Sequence, residues 1–246
     1  MTVEASRFSE SVAVDDANVD LRAADLDLGE AEISELYAVL ADDEREKAGR
    51  FHFRRDRDRY VAARGILRRV LARHLAAAPE HIRFAYGPYG KPYLEAPRSS
   101  EDLDFNVSHS GGLAVFAVGR NPMGVDVEAV RELSDMLPIA ERFFSQDEVR
   151  DLRAIPAAER AAAFFRCWTA KEAYIKARGE GLSMPLDRFA VSLLPLEGTV
   201  DLRVFDVPEK ARSFRLTRFS PRAGYVAALA VAAEDPLPDS RRRPSS

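Results

Sequence analysis

The run at residues 123–128 constrains the fold of this chain more than any other stretch. Val125 and Val127 are β-branched and alternate with Asp126 and Glu128, which predicts a β-strand with both carboxylates on one face. Neighbouring like charges on a strand are unfavourable. A cation between them would remove that cost, and Mg²⁺ prefers oxygen ligands of this kind. The run predicts a metal site or, as the alternative, a solvated pair of acids at a strand end.

A second run, residues 168–176, has the spacing of a helix. Glu172 and Lys176 are four residues apart and therefore lie on one helical face. Taken alone, they are an ordinary surface ion pair worth ~0.3–0.5 kcal/mol. Two strand acids, a helical acid and a lysine together indicate phosphate chemistry on a metal ion.

Composition narrows the classes of protein to consider. With 246 residues, 46% of them hydrophobic, the chain can bury a proper core, and its net charge of −4 argues against general binding of polyanions. We expect no membrane span, because no run of 18 apolar residues is present, and no signal peptide. Cys167 is the single cysteine, which excludes an internal disulfide and a cysteine-built zinc site and predicts a cytoplasmic location.

Charge is unevenly distributed along the chain. Residues 1–44 contain thirteen acids against Arg7 and Arg22, whereas residues 45–73 contain eleven basic residues against three acids. Such a basic segment is typical of a nucleic-acid binder, of a site for a phosphorylated ligand or acidic partner, or of a solvated helix face. No aromatic stacking platform is interleaved with it, so we expect no nucleic-acid partner.

Periodicity predicts helices and strands in both halves of the chain. Helical spacing predicts helices at about residues 29–40, 56–77 and 157–177, and Ser145 with Glu148 forms the capping-box pattern that begins another helix. Alternation predicts strands at residues 12–21, 113–118, 123–128, 189–194, 200–205, 214–219 and 225–231.

Two glycine-containing segments are predicted as turns. The segment at residues 84–93 has two glycines and two prolines, which places Lys91 at the tip of a turn. In the segment at residues 105–112, Ser108 and His109 precede a glycine pair. This pattern predicts a turn whose donors hold a phosphate or, as an equal alternative, a plain hairpin turn.

Each half of the chain has a long helix followed by a strand pair with a glycine turn. We therefore predict an α+β fold of two similar α/β lobes in a pseudo-two-fold arrangement. The N-terminal lobe is predicted to span residues 1–121, with residues 1–30 at its periphery. The C-terminal lobe is predicted to span residues 122–234, with the metal carboxylates at the seam, and residues 235–246 are predicted to be a disordered tail.

Four segments, in this order, resemble the Sfp-type 4′-phosphopantetheinyl transferase family. They are Gly90-Lys91-Pro92, Asn106-Val107-Ser108-His109-Ser110, the run at residues 124–128 and the run at residues 168–176. Two connecting segments also match, namely Arg142-Phe143-Phe144-Ser145 and Gly179-Glu180-Gly181-Leu182. The likeness covers residues 40–232 and implies the two-lobed, pseudo-symmetric fold of that family.

The resemblance also implies a reaction, which is transfer of the phosphopantetheinyl arm of coenzyme A to a serine of an acyl- or peptidyl-carrier protein, with release of adenosine 3′,5′-bisphosphate. Asp126, Glu128 and Glu172 would hold Mg²⁺. Lys176 would neutralise the pyrophosphate, Glu172 or a metal-bound water would take the serine proton, and Glu148 would be a further catalytic acid. The residues implied to bind coenzyme A are Lys47, Lys91, Ser108, His109 and Lys176.

The chain also departs from the family pattern. Glu44 stands where some members carry a lysine, so we expect contacts to the 3′-phosphate to shift to Arg50, Arg55 or Arg64. The family default is a monomer. A coenzyme A-binding protein without catalysis is the alternative function, although the retained acids and Lys176 argue against it.

Overall fold

The computed structural model describes residues 8–14, 18–95, 103–179, 184–205 and 213–233. The predicted tail from residue 235 and residues 180–182 of a matching segment lie outside the described residues. The helices are α1 (Glu30–Ala38), α2 (Asp42–Gly49), α3 (Arg54–Leu75), α4 (Met136–Phe143), α5 (Gln146–Ala154) and α6 (Ala157–Arg178). The strands are β1 (Glu10–Ser11), β2 (Val19–Asp25), β3 (Phe84–Tyr86), β4 (Pro92–Leu94), β5 (Asp104–Ser110), β6 (Leu113–Gly119), β7 (Met123–Ala129), β8 (Phe189–Val191), β9 (Gly198–Thr199), β10 (Leu202–Val204), β11 (Phe214–Phe219) and β12 (Tyr225–Ala232).

The strands form two four-stranded antiparallel sheets, each with a long helix. The first sheet has the order β1-β2-β6-β5 and packs on α3, whereas the second has the order β7-β12-β11-β9 and packs on α6. Both helices have 22 residues. The predicted α+β fold of two similar lobes is confirmed. Among the described helices, none combines the length and apolar character of a membrane span.

Alternation along the central strands explains how the two sheets stack. In β6, one set of alternate side chains packs against α3, namely Ala114, Phe116 and Val118. The other set faces the second sheet, namely Leu113, Val115 and Ala117. In β12, Ala228 and Ala230 pack with α6, whereas Ala227, Leu229 and Val231 face the first sheet. Both sheets are therefore buried on two faces, which gives four layers in the order helix, sheet, sheet, helix.

Residues 19–25 of the N-terminal segment are not peripheral, which differs from the prediction that residues 1–30 lie at the periphery of the lobe. β2 lies inside the first sheet, where it pairs with β6 along all seven of its residues. Leu21 faces the second sheet, and Ala24 packs toward α3. The strand predicted at residues 12–21 is also displaced toward the C-terminus, because the strand that forms, β2, covers residues 19–25.

Many of the acids near the N-terminus neutralise arginines of the basic segment. Asp27 binds Arg59 through two hydrogen bonds of 2.6 and 2.7 Å. The buried Glu44 accepts hydrogen bonds from both Arg64 and Arg68. Arg64 is therefore committed to a structural ion pair, contrary to the expectation that it takes over a phosphate contact.

The two sheets meet where β5 lies beside β7, and side chains join these outer strands. Four side chains of β5, which we call the β5 ladder, are Asp104, Asn106, Ser108 and Ser110. They accept hydrogen bonds from alternate backbone N–H groups of β7, at 3.0 Å from Met123, 2.9 Å from Val125, 3.4 Å from Val127 and 3.2 Å from Ala129. The open edge of β7 is thereby satisfied without backbone pairing between the lobes.

Asn106→Ala tests the β5 ladder. The substitution leaves the buried Val125 N–H without its acceptor, and an unsatisfied buried donor costs about 1–3 kcal/mol. We expect a corresponding fall in the free energy of unfolding, measured by urea denaturation. Asn121→Ala is the matched control, because Asn121 donates to the carbonyl of Ala232 at the end of β12 and does not accept from a β7 N–H group. Equal losses in the two variants would contradict the role given to the ladder.

Candidate active site

A glycine brings β7 and α6 into direct backbone contact. A Cβ atom on Gly124 would lie 2.2 Å from the carbonyl oxygen of Ala173 and 2.3 Å from the backbone nitrogen of Ala177, distances that no side chain can occupy. The absence of a side chain thus lets the strand approach the helix closely. This approach places Glu172 and Lys176 of α6 beside the carboxylates of β7.

Asp126 is the most buried acid of this group. Its Oδ1 accepts hydrogen bonds of 2.7 Å from Lys176 Nζ and 2.7 Å from Ser108 Oγ. Lys176 also donates to Ser108 Oγ at 3.2 Å and to the Val125 carbonyl at 3.2 Å. The other oxygen of Asp126, Oδ2, is buried and has no hydrogen-bond partner among the residues that the structure describes. A buried carboxylate oxygen without a donor is costly and indicates a site for a cation.

Glu128 and Glu172 complete the acidic group. Glu128 Oε2 accepts hydrogen bonds from Ser110 Oγ at 2.6 Å and Arg131 Nη1 at 3.2 Å. Burial, and then the charges of Asp126 and Glu128, raise the pKa of Glu172 despite the opposing effect of Lys176. Burial likewise raises the pKa of Asp126, and Glu128 adds to this. The three carboxylates repel one another, so a cation would stabilise their ionised forms.

The carboxylates are held by basic side chains and serines in this structure. Within the described ranges, no three His, Cys, Asp or Glu side chains already converge closely enough to hold a metal ion. Lys176 occupies one oxygen of Asp126, and Arg131 with Ser110 occupies one oxygen of Glu128. The donors nevertheless fit a hard divalent cation, because all are carboxylates and Asp126 Oδ2 is unsatisfied.

Ser108 and His109 lie on a strand rather than in a turn, and the structure agrees with the alternative of a plain hairpin turn. Both belong to β5, and only Gly111 and Gly112 form the turn to β6. Ser108 points toward β7 and binds Asp126 and Lys176. His109 points to the opposite side of β5 and is exposed. Desolvation of its ring, and then the charge of Lys176, lower the pKa of His109.

The two other lysines predicted to bind coenzyme A make no hydrogen bond to Asp126, Glu128 or Glu172 within the described residues. The side chain of Lys91 does not project from the tip of its turn. Its ammonium points inward and donates to Asp104 at 3.2 Å and to the Met123 carbonyl at 2.9 Å. Lys47 is exposed on α2, with its Nζ 5.3 Å from the centroid of the Tyr60 ring. Lys47 therefore belongs to the N-terminal lobe, and Lys91 lies where this lobe meets β7.

Comparisons with known proteins show the family to which this chain belongs. A family model described as the 4′-phosphopantetheinyl transferase superfamily matches residues 122–230, and one described as 4′-phosphopantetheinyl transferase, N-terminal, matches residues 29–121. The chain is 38% identical to 4′-phosphopantetheinyl transferase HetI of Nostoc sp., over 84% of each chain. It is 33% identical to 4′-phosphopantetheinyl transferase Sfp of Bacillus subtilis, over 86% of this chain and 90% of that protein. The chain belongs to the 4′-phosphopantetheinyl transferase superfamily. The solved holo-[acyl-carrier-protein] synthase of Thermotoga maritima is 23% identical over 45% of this chain and 62% of its own, with a TM-score of 0.34.

In this member of the superfamily, Glu148 lies in the interior of the C-terminal lobe, apart from the other acids. The predicted capping box is confirmed, because Glu148 accepts a 2.7 Å hydrogen bond from the Ser145 N–H. Glu148 also binds Val191 N–H at 2.8 Å and Lys171 Nζ at 2.8 Å. Lys171 further donates to two buried carbonyls. The structure does not bring Glu148 to Asp126, and these contacts give it a structural role.

Sequence reasoning missed several residues of the site and its support. Asn106 and Ser110 belonged to a recognised segment, and their two-residue spacing with Ser108 could have indicated one shared face of a strand. Arg131 follows the acidic strand without any distinctive pattern. Lys171 adjoins Glu172 in sequence but packs into the opposite core, which only the tertiary structure shows.

Glu172→Gln tests the mutual repulsion of the carboxylates. Because the pKa of Glu172 is raised in the folded chain, the free energy of unfolding falls as the pH rises from the ordinary glutamate pKa of 4.5 to that raised value. We expect the metal-free variant to lose less stability than the parent chain as the pH rises above 4.5. Urea denaturation in EDTA measures this difference, and identical pH slopes would contradict the repulsion.

Glu148→Ala tests the structural role of the buried ion pair. The substitution leaves Lys171 as an uncompensated buried charge, which costs about 3–5 kcal/mol. The control is Glu141→Ala, which removes an exposed pair with Arg153 and costs about 0–1 kcal/mol. Denaturant unfolding of both variants checks this prediction. A Glu148→Ala chain of normal stability that lacks activity would instead support the catalytic role.

Proposed function

We propose that this chain transfers the 4′-phosphopantetheine arm of coenzyme A to a serine of an apo acyl- or peptidyl-carrier protein and releases adenosine 3′,5′-bisphosphate. Membership of the superfamily supports the reaction class. The observation that carries the proposal is the group of three carboxylates and Lys176 where α6 meets β7 beside the β5 ladder. Phosphoryl transfer requires mainly positioning and charge neutralisation, and this group provides both.

Asp126, Glu128 and Glu172 are the proposed ligands of Mg²⁺. The unsatisfied Oδ2 of Asp126 and the raised pKa of both Asp126 and Glu172 support this assignment. When bound, Mg²⁺ would orient the pyrophosphate of coenzyme A and stabilise charge on the leaving oxygen. The protein contributes a strand and a helix in direct contact, which hold the acids in place.

Lys176 and the polar residues of β5 are proposed to bind the phosphates. The ammonium of Lys176 lies on Asp126 and can turn to a pyrophosphate oxygen once a metal neutralises that carboxylate. Ser108 already bonds both side chains, whereas His109, exposed on the opposite side of β5, is proposed to bind a separate phosphate of coenzyme A. Lys47 and Lys91 would add positive charge from the N-terminal lobe.

Glu172 is the proposed base for the carrier serine. A carboxylate can accept the serine proton as a general base, and a metal-bound water is the alternative base. Glu172 is also the only acid of the group that lies on the helix rather than the strand. We further propose that the chain acts as a monomer in the cytoplasm, in line with its single buried cysteine.

An intact-mass assay tests the reaction. Purified apo carrier proteins of the fatty-acid, polyketide and peptide types are each mixed with the chain, coenzyme A and Mg²⁺, with a parallel sample in EDTA. We expect a mass gain of one phosphopantetheinyl arm that EDTA abolishes. Coenzyme A binding without any mass gain would instead support a binding protein without catalysis.

Asp126→Ala tests the metal assignment in the same assay. Loss of one electrostatic stabiliser in other enzymes lowers turnover about 10²–10³-fold, and we expect at least that loss here. Its circular dichroism spectrum should match that of the parent chain, because the core on either side of β7 is unchanged. Near-normal turnover in Mg²⁺ would show that Asp126 is not a metal ligand.

A further inference from the structure

Ser110 makes a pair of hydrogen bonds that repeats a pair made by Ser108. Ser108 Oγ accepts from Val127 N–H and donates to Asp126. Ser110 Oγ accepts from the Ala129 N–H at 3.2 Å and donates to Glu128 Oε2 at 2.6 Å. A serine hydroxyl has one proton, so a backbone donor on one side of the oxygen directs that proton to the carboxylate. Two serines, two residues apart, thus hold two carboxylates that are also two residues apart.

Glu128 depends on its serine more than Asp126 does. Asp126 is short, buried and held by Lys176 as well as by Ser108. Glu128 has a longer side chain and is partly exposed. Within the described part of the chain, its only other hydrogen-bond partner is the exposed Arg131, which binds the same Oε2 at 3.2 Å. Arg131 lies beyond the end of β7 and also binds the Ala129 carbonyl. Without Ser110, the Arg131 contact would draw the Glu128 carboxylate away from Asp126.

We propose that Ser110 is a positioning residue that holds the Glu128 carboxylate beside Asp126 and leaves Oε1 of Glu128 directed to the divalent cation. The inference rests on the proposed function, because it concerns the same carboxylates. Hydrogen bonds to metal-ligating carboxylates orient them, and loss of such a bond lowers metal affinity or activity about 10–100-fold. The chemical requirement at residue 110 is a hydroxyl group.

Three variants test the proposal. Ser110→Ala removes the hydroxyl, and Ser110→Thr retains it. Ser192→Ala is the matched control, because Ser192 Oγ also accepts from a backbone N–H at 3.2 Å and donates at 2.6 Å, but to the carbonyl of Leu194 rather than to a carboxylate. Thermal unfolding of each variant monitors the fold.

Metal affinity is measured without turnover, by electron paramagnetic resonance of free Mn²⁺ in the presence of coenzyme A and the absence of carrier protein. We expect Ser110→Ala to bind Mn²⁺ about 10–100-fold more weakly than the parent chain. Ser110→Thr and Ser192→Ala should bind Mn²⁺ with an affinity close to that of the parent chain. In turnover assays, Ser110→Ala should require a correspondingly higher Mg²⁺ concentration, and saturating Mg²⁺ should restore most of its kcat.

Two outcomes would overturn the inference while leaving the proposed function intact. One is parent-like Mn²⁺ affinity in Ser110→Ala. The other is an equal loss of affinity in Ser110→Ala and Ser110→Thr, which would indicate packing rather than the hydroxyl. If the parent chain binds no Mn²⁺ although it and Ser110→Ala are both folded, the proposed metal site is overturned, and this inference with it.

Discussion

The β5 ladder is the interaction on which the architecture of the site depends. β5 and β7 are outer strands of different sheets, and an outer strand leaves alternate N–H groups open. Four polar side chains of β5 satisfy those groups on β7, so the lobes join through side chains rather than a continuous sheet. The serines of the ladder still have a proton to donate, and both donate it to carboxylates of β7. One row of residues therefore joins the lobes and orients the acids.

In this structure, basic side chains occupy carboxylates that a divalent cation would bind in their place. Lys176 offsets the negative charge of Asp126, and Arg131 offsets part of the negative charge of Glu128. Glu172 lies close to both carboxylates, and its raised pKa records the unfavourable surroundings of its charge. A divalent cation would relieve this repulsion and free Lys176 for the phosphates of a ligand. By contrast, Glu148 and Lys171 pair with each other in the interior and also bind backbone groups, as expected for a structural pair.

Long periodic elements could be predicted from the sequence, whereas contacts between distant segments could not. The helix predicted at residues 157–177 is α6 (Ala157–Arg178), because its apolar spacing continues over six turns. The acids of residues 123–128 do share one face. The inner position of β2 was missed, because its partner strand is almost a hundred residues away and the segment around it is acidic. Lys91 was misplaced for a related reason, since its partners Asp104 and Met123 become neighbours only in the folded seam.

A crystal structure of the chain with coenzyme A and Mn²⁺, analysed by anomalous scattering, tests the central claim most directly. The account predicts one Mn²⁺ ion bound by carboxylate oxygens of Asp126, Glu128 and Glu172. It also predicts that the Lys176 ammonium moves from Asp126 to a phosphate oxygen of the ligand. An ion bound elsewhere, or Lys176 still bonded to Asp126 with coenzyme A in place, would contradict it.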